Sequence, residues 1–552
     1  MKQFIIINIL IILFNVSACK QKTETSPVIF NVDVSKTIGE NTGFWKAIGH
    51  DYLFKIVNEP LGQEFLDRAQ KKHSVIYYRT HFTFNNKSKG DENAGGSVCG
   101  EVLTIDNKGF FHYDFSKVNK TFEEYVKRGM KPIVEFDFYP DGLASKGNKN
   151  INDESFESND GSPASWNKWQ ELLNKFMQNL IDNFGKEEMS TWYFEVWNEP
   201  DGWPVEYLPV FFRLYDTFAH VVKSFDKDFK VGGPACYNLY FMEYFLQHVV
   251  NGTNFMTGEK GSPLDFVSYH VYGLSGGWLH RPPEIVPQVS RFTIELLCVE
   301  RMLLRYNLKG KVEFLMDEWG VCSNFRRTVD EYPQLVYRNN EFSSLFMVKL
   351  VDCLYALEDN YDFKTSLMAY WGFCGEADRN VMFAGNRDLT TGGNVPKPIL
   401  IAYEMLAKLG KDRLAVKDVL IESRFARGER FGIIPTRDDN RIIFIVYNFC
   451  ETDDELYRVD DIIVKLNNLP SGKSFTWEEI LLDDKHNNSY ALWVDNGKPD
   501  DPSKLSSDFI KKTKEIMVTG TGSAMTDGAG IVTLEIPLKK HSMKLFELKF
   551  NK

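Results

Sequence analysis

Short apolar runs alternate with amphipathic segments through the first three quarters of the chain. The runs 44-FWKAIGH-50, 75-VIYYR-79, 132-PIVEFDF-138, 191-TWYFEVW-197, 229-FKVGG-233, 264-LDFVSYH-270, 311-KVEFLMD-317 and 367-LMAYW-371 are β-branched or aromatic and bounded by polar residues. That is the pattern of parallel strands buried on both faces. Helical periodicity fills the intervals. In 115–129, Val118, Phe122, Tyr125 and Val126 share one face and Gly129 marks the stop; in 166–185, Trp166, Trp169, Leu173, Phe176, Leu180 and Phe184 do the same. The segment 61-LGQEFLDRAQKKH-73 reads as the first of these helices, with Leu61, Phe65 and Ala69 spaced for its buried side. Eight strand–helix units predict a (β/α)8 barrel over residues 44–414.

The grammar changes near residue 415. The runs 431-FGIIPT-436, 441-RIIFIVYNF-449, 461-DIIVKL-466, 474-SFTWEEILL-482, 531-IVTLEI-536 and 543-MKLFELKF-550 are short strands with turn signals and little helix. They predict a C-terminal β-sandwich over 415–552, which the early strand 28-VIFNVDV-34, within 28–43, is expected to join. Four long polar connections (84–100, 139–165, 321–333 and 373–393) follow barrel strands. Loops on that side of a barrel build its active site, so these read as rim loops.

At 552 residues the chain is too long for one ordinary core, in keeping with a barrel plus an appendage. A net charge of −11 with no Lys/Arg cluster excludes a nucleic-acid partner. Residues 1–18 read as an export signal, with Lys2 ahead of an apolar stretch too short to stay as a spanning helix. Val16-Ser17-Ala18-Cys19 resembles a bacterial lipobox, making Cys19 the expected lipidation site and 19–27 a tether. The expected location is therefore an exported lipoprotein, periplasmic or on the outer membrane or cell surface, held to the membrane by its acyl chains. The other seven cysteines are scattered and never form a CxxC pair, which argues against a disulfide framework or a zinc knuckle.

Two carboxylates stand out. Glu199 follows the fourth strand and Glu318 the seventh, so the barrel brings them to opposite sides of one central mouth. A facing pair is the minimum equipment for cleaving a glycosidic bond: one protonates the leaving oxygen, and the other attacks the anomeric carbon or activates water. Asp317 is expected to point to the opposite face of the strand from Glu318. Asn198 could hydrogen-bond a sugar hydroxyl. Arg79, His81, His270 and Trp371 end strands and read as pocket liners, with His50 and Asp137 as weaker candidates. The triplet Asn198-Glu199-Pro200 has a double in Asn58-Glu59-Pro60, but Pro60 opens a helix there, and an acidic residue at a helix start needs no catalytic reading.

The chain resembles glycoside hydrolase family 39, the retaining exo-glycosidases that include β-xylosidases and α-L-iduronidases. FEVWNEPD (194–201) is similar to the family's acid/base motif and FLMDEWG (314–320) to its nucleophile strand, which implies acid/base Glu199 and nucleophile Glu318. YYRTHF (77–82) is similar to the second strand with its substrate-facing histidine, here His81. DFVSYHVY (265–272), VPKPILIAYEML (395–406), TRDDNRIIFIVYNF (436–449) and YALWVDNGKPDDPS (490–503) match further segments of the family. Iduronidase-like members place a lysine two residues after the sixth-strand histidine, to hold the uronate carboxylate. Here that position is Tyr272, as in xylosidase-like members, although Arg326, Arg327, Arg379 or Arg387 on rim loops could supply a charge.

These features imply a β-xylosidase-like exo-glycosidase acting on oligosaccharides of plant or algal polysaccharide by double displacement, with no metal or organic cofactor. The alternatives are an iduronidase-like or other uronic-acid or arabinose-type glycosidase, and a barrel that binds glycans without cleaving them. A homo-oligomer stays open.

Overall fold

The computed structural model describes residues 27–51, 56–84, 102–140, 142–143, 161–274, 287–324, 327–372, 381–417, 431–451 and 461–550. The expected signal, Cys19 and most of the tether lie outside them, as does much of the rim-loop sequence, including Arg326 and Arg379.

The chain opens with strand β1 (Val28–Glu40) and then builds a closed parallel barrel. Its staves are β2 (Ala47–Gly49), β3 (Tyr77–Arg79), β6 (Lys131–Phe136), β7 (Tyr193–Val196), β8 (Lys230–Cys236), β9 (Phe266–Leu274), β10 (Glu313–Cys322) and β11 (Leu367–Trp371). They are hydrogen-bonded in chain order, and β11 pairs with β2 to close the ring. Ala47, Ile133, Tyr193, Phe266, Leu315, Leu367 and Ala369 plug the lower interior. A small hairpin of β4 (Leu103–Ile105) and β5 (Phe111–Tyr113) is inserted between β3 and β6, and another of β12 (Thr390–Thr391) and β13 (Val395–Pro396) follows β11. Neither hairpin is foreseen from the hydrophobic pattern, because runs this short carry no periodicity.

The barrel helices are α1 (Pro60–Lys71), α2 (Ser116–Val126), α3 (Trp166–Met189), α4 (Leu208–Phe225), α5 (Leu239–Asn251), α6 (Val289–Arg305), α7 (Glu341–Tyr361) and α8 (Ile399–Ala407). Helix α1 starts as expected, with Glu59 at the N-cap and Pro60 in the first turn. Its buried side differs from the sequence reading: Phe65, Leu66 and Ala69 are buried, but Leu61 is 38 % exposed. One residue before Gly62, Leu61 turns away from the barrel, while Gly62 packs so close to the Ile56 carbonyl that a Cβ would lie 2.0 Å from it. Helix α3 is capped by the Ser165 hydroxyl and kinks at Gly185 (φ 75°), where the sequence pattern ends.

The C-terminal region is one nine-stranded sheet wrapped around its own core. Its strands are β14 (Asp412–Lys417), β15 (Phe431–Asp438), β16 (Arg441–Asn448), β17 (Asp461–Asn467), β18 (Ser474–Leu482), β19 (Gly520–Met525), β20 (Val532–Pro537) and β21 (Ser542–Phe550), with β1 between β14 and β17. Two short helices, α9 (Ser489–Asp495) and α10 (Ser507–Lys514), interrupt them. Strand β14 runs across the boundary expected at 414/415.

The run 441-RIIFIVYNF-449 is apolar on both faces because both are covered. Ile442, Phe444 and Val446 join the sandwich core, while Ile443, Ile445 and Tyr447 join the core of the barrel's helical layer. Helix α7 is the joint. It is buried almost all round, and Asp352 accepts a hydrogen bond from the Tyr447 hydroxyl at 2.8 Å.

Candidate active site

At the C-terminal mouth, strand order decides which side chains meet. β9 and β10 run parallel with Glu318 opposite His270 and Gly320 opposite Tyr272. From Leu315 to Glu318 β10 advances three positions while β9 advances two, from Ser268 to His270, and the register against β11 breaks at the same place. This β-bulge overturns the expectation for Asp317. The extra residue cancels the alternation of the strand, so Asp317 and Glu318 both face the barrel interior. Glu318 also lies inside the strand rather than past its end.

Glu199 leaves β7 through a tight turn in which Trp197 (φ 68°) and Glu199 (φ 45°) both adopt left-handed backbone. Non-glycine residues there cost of order 1–3 kcal/mol each and persist only when the surroundings hold them. Here the Glu199 N–H donates to the Ala235 carbonyl at 2.9 Å, and the Trp197 ring is wedged against Phe138, Tyr139 and Trp203.

Glu199 and Glu318 face each other across His270. Imidazole Nδ1 lies 2.9 Å from Glu199 Oε1 and 3.6 Å from Glu318 Oε2, and Nε2 lies 3.2 Å from Asp317 Oδ2. An oxygen of each glutamate and a His270 nitrogen all fall within 4.8 Å of one another. Burial opposes a charge on His270, but the Glu318 and Asp317 carboxylates prevail and hold it protonated well above the ordinary histidine range.

Glu318 is gripped from both sides. The Tyr272 hydroxyl donates to Oε1 at 2.5 Å, and Arg79 Nη1 donates to Oε2 at 3.4 Å. Burial lifts its carboxyl above the usual range, His270 and Arg79 work against that, and the charge of Glu199 adds to it. The Glu318 side chain is 8 % exposed and that of Glu199 37 %, so Glu199 is the one open to an outgoing group.

Beneath the pair lies a floor of buried charge. Arg79 is fully buried and contacts Glu195 at 2.5 Å, Glu135 at 3.3 Å and Asp317 at 3.3 Å, and it donates to Asn198 Oδ1 at 3.1 Å. It supports the site from below rather than lining the pocket. His81 Nδ1 lies 2.9 Å from Glu135 and 3.2 Å from Asp137, whose carboxylate accepts the N–H groups of Phe82 and Thr83. Burial drives Glu135 up to about 8 and Glu195 up to about 7 despite Arg79. Arg79, His81 and His270 between them face Glu135, Asp137, Glu195, Glu199, Asp317 and Glu318, an excess of acid that favours a proton on Glu135 and Glu195 near neutrality.

Trp371 closes one wall, packed against His81 and lying over Arg79. Gly49 permits that approach, since a Cβ there would lie 2.3 Å from the indole. Beyond it, Arg387 reaches Tyr272 Oη at 3.3 Å and Asp51 at 3.6 Å. His50 is turned to Asp388 at 3.2 Å, and Arg327 pairs with Glu331 on the surface. Glu59 is the N-cap of α1. Glu135, Glu195 and Asp51 were missed in the sequence. The signal for the first two was there: a glutamate inside an otherwise apolar buried strand must have a partner.

Residues 32–524 match the family model described as glycosyl hydrolases family 39. The chain is 23% identical over 532 residues to a β-xylosidase of Caldicellulosiruptor saccharolyticus, covering 94% of this chain and 98% of that protein. It is 21% identical over 364 residues to an α-L-iduronidase of Mus musculus, covering 61% and 55%. Among solved structures, a monomeric β-xylosidase from Caulobacter crescentus superposes with a TM-score of 0.73 at 21% identity, over 95% of this chain and 99% of that one.

Proposed function

We propose, from the premise that this chain belongs to glycosyl hydrolases family 39 and is a glycoside hydrolase, that it is a retaining β-xylosidase-type exo-glycosidase. The observation that carries the mechanism is the distance between the two glutamates. One oxygen of each carboxylate lies within 4.8 Å of an oxygen of the other, closer to the about 5–5.5 Å separation of retaining enzymes than to the about 6.5–9.5 Å of inverting ones.

Glu318 attacks C1 as Glu199 passes its proton to the leaving oxygen, giving a glycosyl ester and a free alcohol. Glu199, now a carboxylate, takes a proton from water as that water attacks C1, and Glu318 departs. Two inversions make one retention. The hydrogen bonds from Tyr272 and Arg79 stabilise the ionised form of Glu318, which a nucleophile requires. Asn198, held by Arg79, is placed to meet a sugar hydroxyl.

A neutral pentose fits the wall of the pocket. Tyr272 stands where iduronidase-like members carry a lysine, and the charge of Arg387 is already answered by Asp51. The long match to a β-xylosidase supports the same reading. The enzyme is further read as an exported lipoprotein anchored through Cys19.

A panel of p-nitrophenyl glycosides with NMR of the product tests this reading. The β-xyloside should be cleaved fastest and with retention, and Glu318→Ala should abolish turnover, with azide restoring it as the inverted glycosyl azide. Faster cleavage of the α-L-iduronide would transfer the sugar assignment to a uronate, and turnover surviving Glu318→Ala would refute the pair.

A further inference from the structure

A stripe of uncharged side chains leads away from Glu199 along the outer face of α5. Tyr237, just ahead of the helix, and Tyr240, Tyr244, Gln247 and Asn251 upon it, follow one another at helical spacing and are all exposed, the tyrosines by 42, 57 and 41 %. A solvent-facing helical stripe ordinarily carries charge. Here the ionisable groups of α5 are turned aside: Glu243 binds Arg305 and Tyr306 at 2.7 and 2.8 Å, and His248 is buried against Asp216 at 3.1 Å. From Tyr240 to Asn251 the stripe runs about 16 Å down the barrel wall. It borders a groove of about 250 Å³ shared with Leu208 and Phe212 of α4.

The stripe is continuous with the site. The Tyr237 N–H donates to Asp201 at 2.9 Å, two residues beyond Glu199. Partial burial, then the charges of Asp201 and Glu199, and then Tyr240 raise the Tyr237 phenol to about 12. With Glu199 as proton donor, the leaving-group side of the substrate lies on the same side of the barrel mouth as Tyr237.

We infer that this stripe is a binding track for the leaving-group side of the substrate, an oligosaccharide chain whose sugar faces stack on Tyr237, Tyr240 and Tyr244 and whose hydroxyls meet Gln247 and Asn251. A tyrosine offers an apolar face and a polar tip, which suits a sugar's C–H face and its hydroxyl rim. The track rests on the xyloside reading above.

The test compares the full-length enzyme with its Tyr240→Ala/Tyr244→Ala variant on p-nitrophenyl β-xyloside and on xylo-oligosaccharides of two to six units, beside size-exclusion chromatography of both. In the unmodified enzyme kcat/KM should rise with chain length. The variant should lose that rise, by about tenfold at the longest chain, and keep its aryl-xyloside rate. Aryl-xyloside turnover with no chain-length dependence, or with one that survives the double substitution, overturns the track and leaves the sugar assignment standing. No turnover of any xyloside overturns the sugar assignment and the track with it. A dimer that becomes monomeric in the variant assigns the stripe to a second copy of the chain and overturns the proposal.

Discussion

The two glutamates differ in what surrounds them, and single substitutions report that difference. Under the proposed roles Glu199→Ala removes the proton donor, so oligosaccharide turnover should fall by about 10²–10⁴. A dinitrophenyl glycoside, whose leaving group needs no proton, should lose much less, and a comparison of the two substrates in the same variant reads this directly. The Tyr272 hydroxyl donates a 2.5 Å hydrogen bond to Glu318, and a hydrogen bond to a charged group contributes about 1.5–3 kcal/mol. Tyr272→Phe should therefore lower kcat/KM by roughly 10–100-fold. It should also move the acidic limb of the pH profile upward, because the bond favours the ionised form of Glu318. An unmoved limb would show that the hydroxyl does not act on the nucleophile. Glu318, His270 and Tyr272 were legible because they lie within buried strands, and Glu199 because it follows one closely. What stayed hidden was the bulge at Asp317, since one extra residue leaves no mark on a hydrophobic pattern while reversing where a side chain points.

At the scale of elements, the barrel staves carry an excess of acid inside a dry wall. Glu135 and Glu195 release their protons near 8 and 7 in the folded protein, against an ordinary 4.5. His81 and His270 hold theirs well above 6.5. Between pH 5 and 8 the folded state thus binds more protons than the unfolded one, and stability falls as pH rises, by up to about 1.4 kcal/mol per pH unit for each proton. Thermal melts across this range should decline toward pH 8, and Glu135→Gln should flatten the decline. A melting temperature that climbs from pH 5 to 8 would refute the protonated floor. Arg79→Met should cost about 3–5 kcal/mol, since it strands buried carboxylates without their cation, and denaturant unfolding measures that loss. The eight staves and the main sandwich strands were readable from their runs. The helices α9 and α10 and the strands β14 and β19 were not: Gly520–Met525 alternates small and exposed residues, and Asp412–Lys417 merges with the barrel's last helix in the sequence.

The molecule as a whole is stitched across its domain boundary. Because β16 feeds one core with each face, barrel and sandwich should unfold together, with circular dichroism and tryptophan fluorescence giving one coincident transition. Removing residues up to 26 should leave that transition in place. Removing β1 as well takes Phe30, Val32 and Val34 from the sandwich core, each about 1.5–3 kcal/mol of burial, and splits the sheet between β14 and β17, so that product should not fold. Cys19→Ser, if the anchor reading holds, should release an enzyme of unchanged specific activity from the membrane fraction.

The place of β1 also sets a clock. Val28 pairs with Ile462 and Asn31 with Lys417, so β1 waits for partners synthesised several hundred residues after it. At about 5–20 residues per second, that delay is roughly 20–90 s. Through all of it an apolar strand stands with both edges open, and the growing chain must be shielded from its neighbours until its own tail arrives.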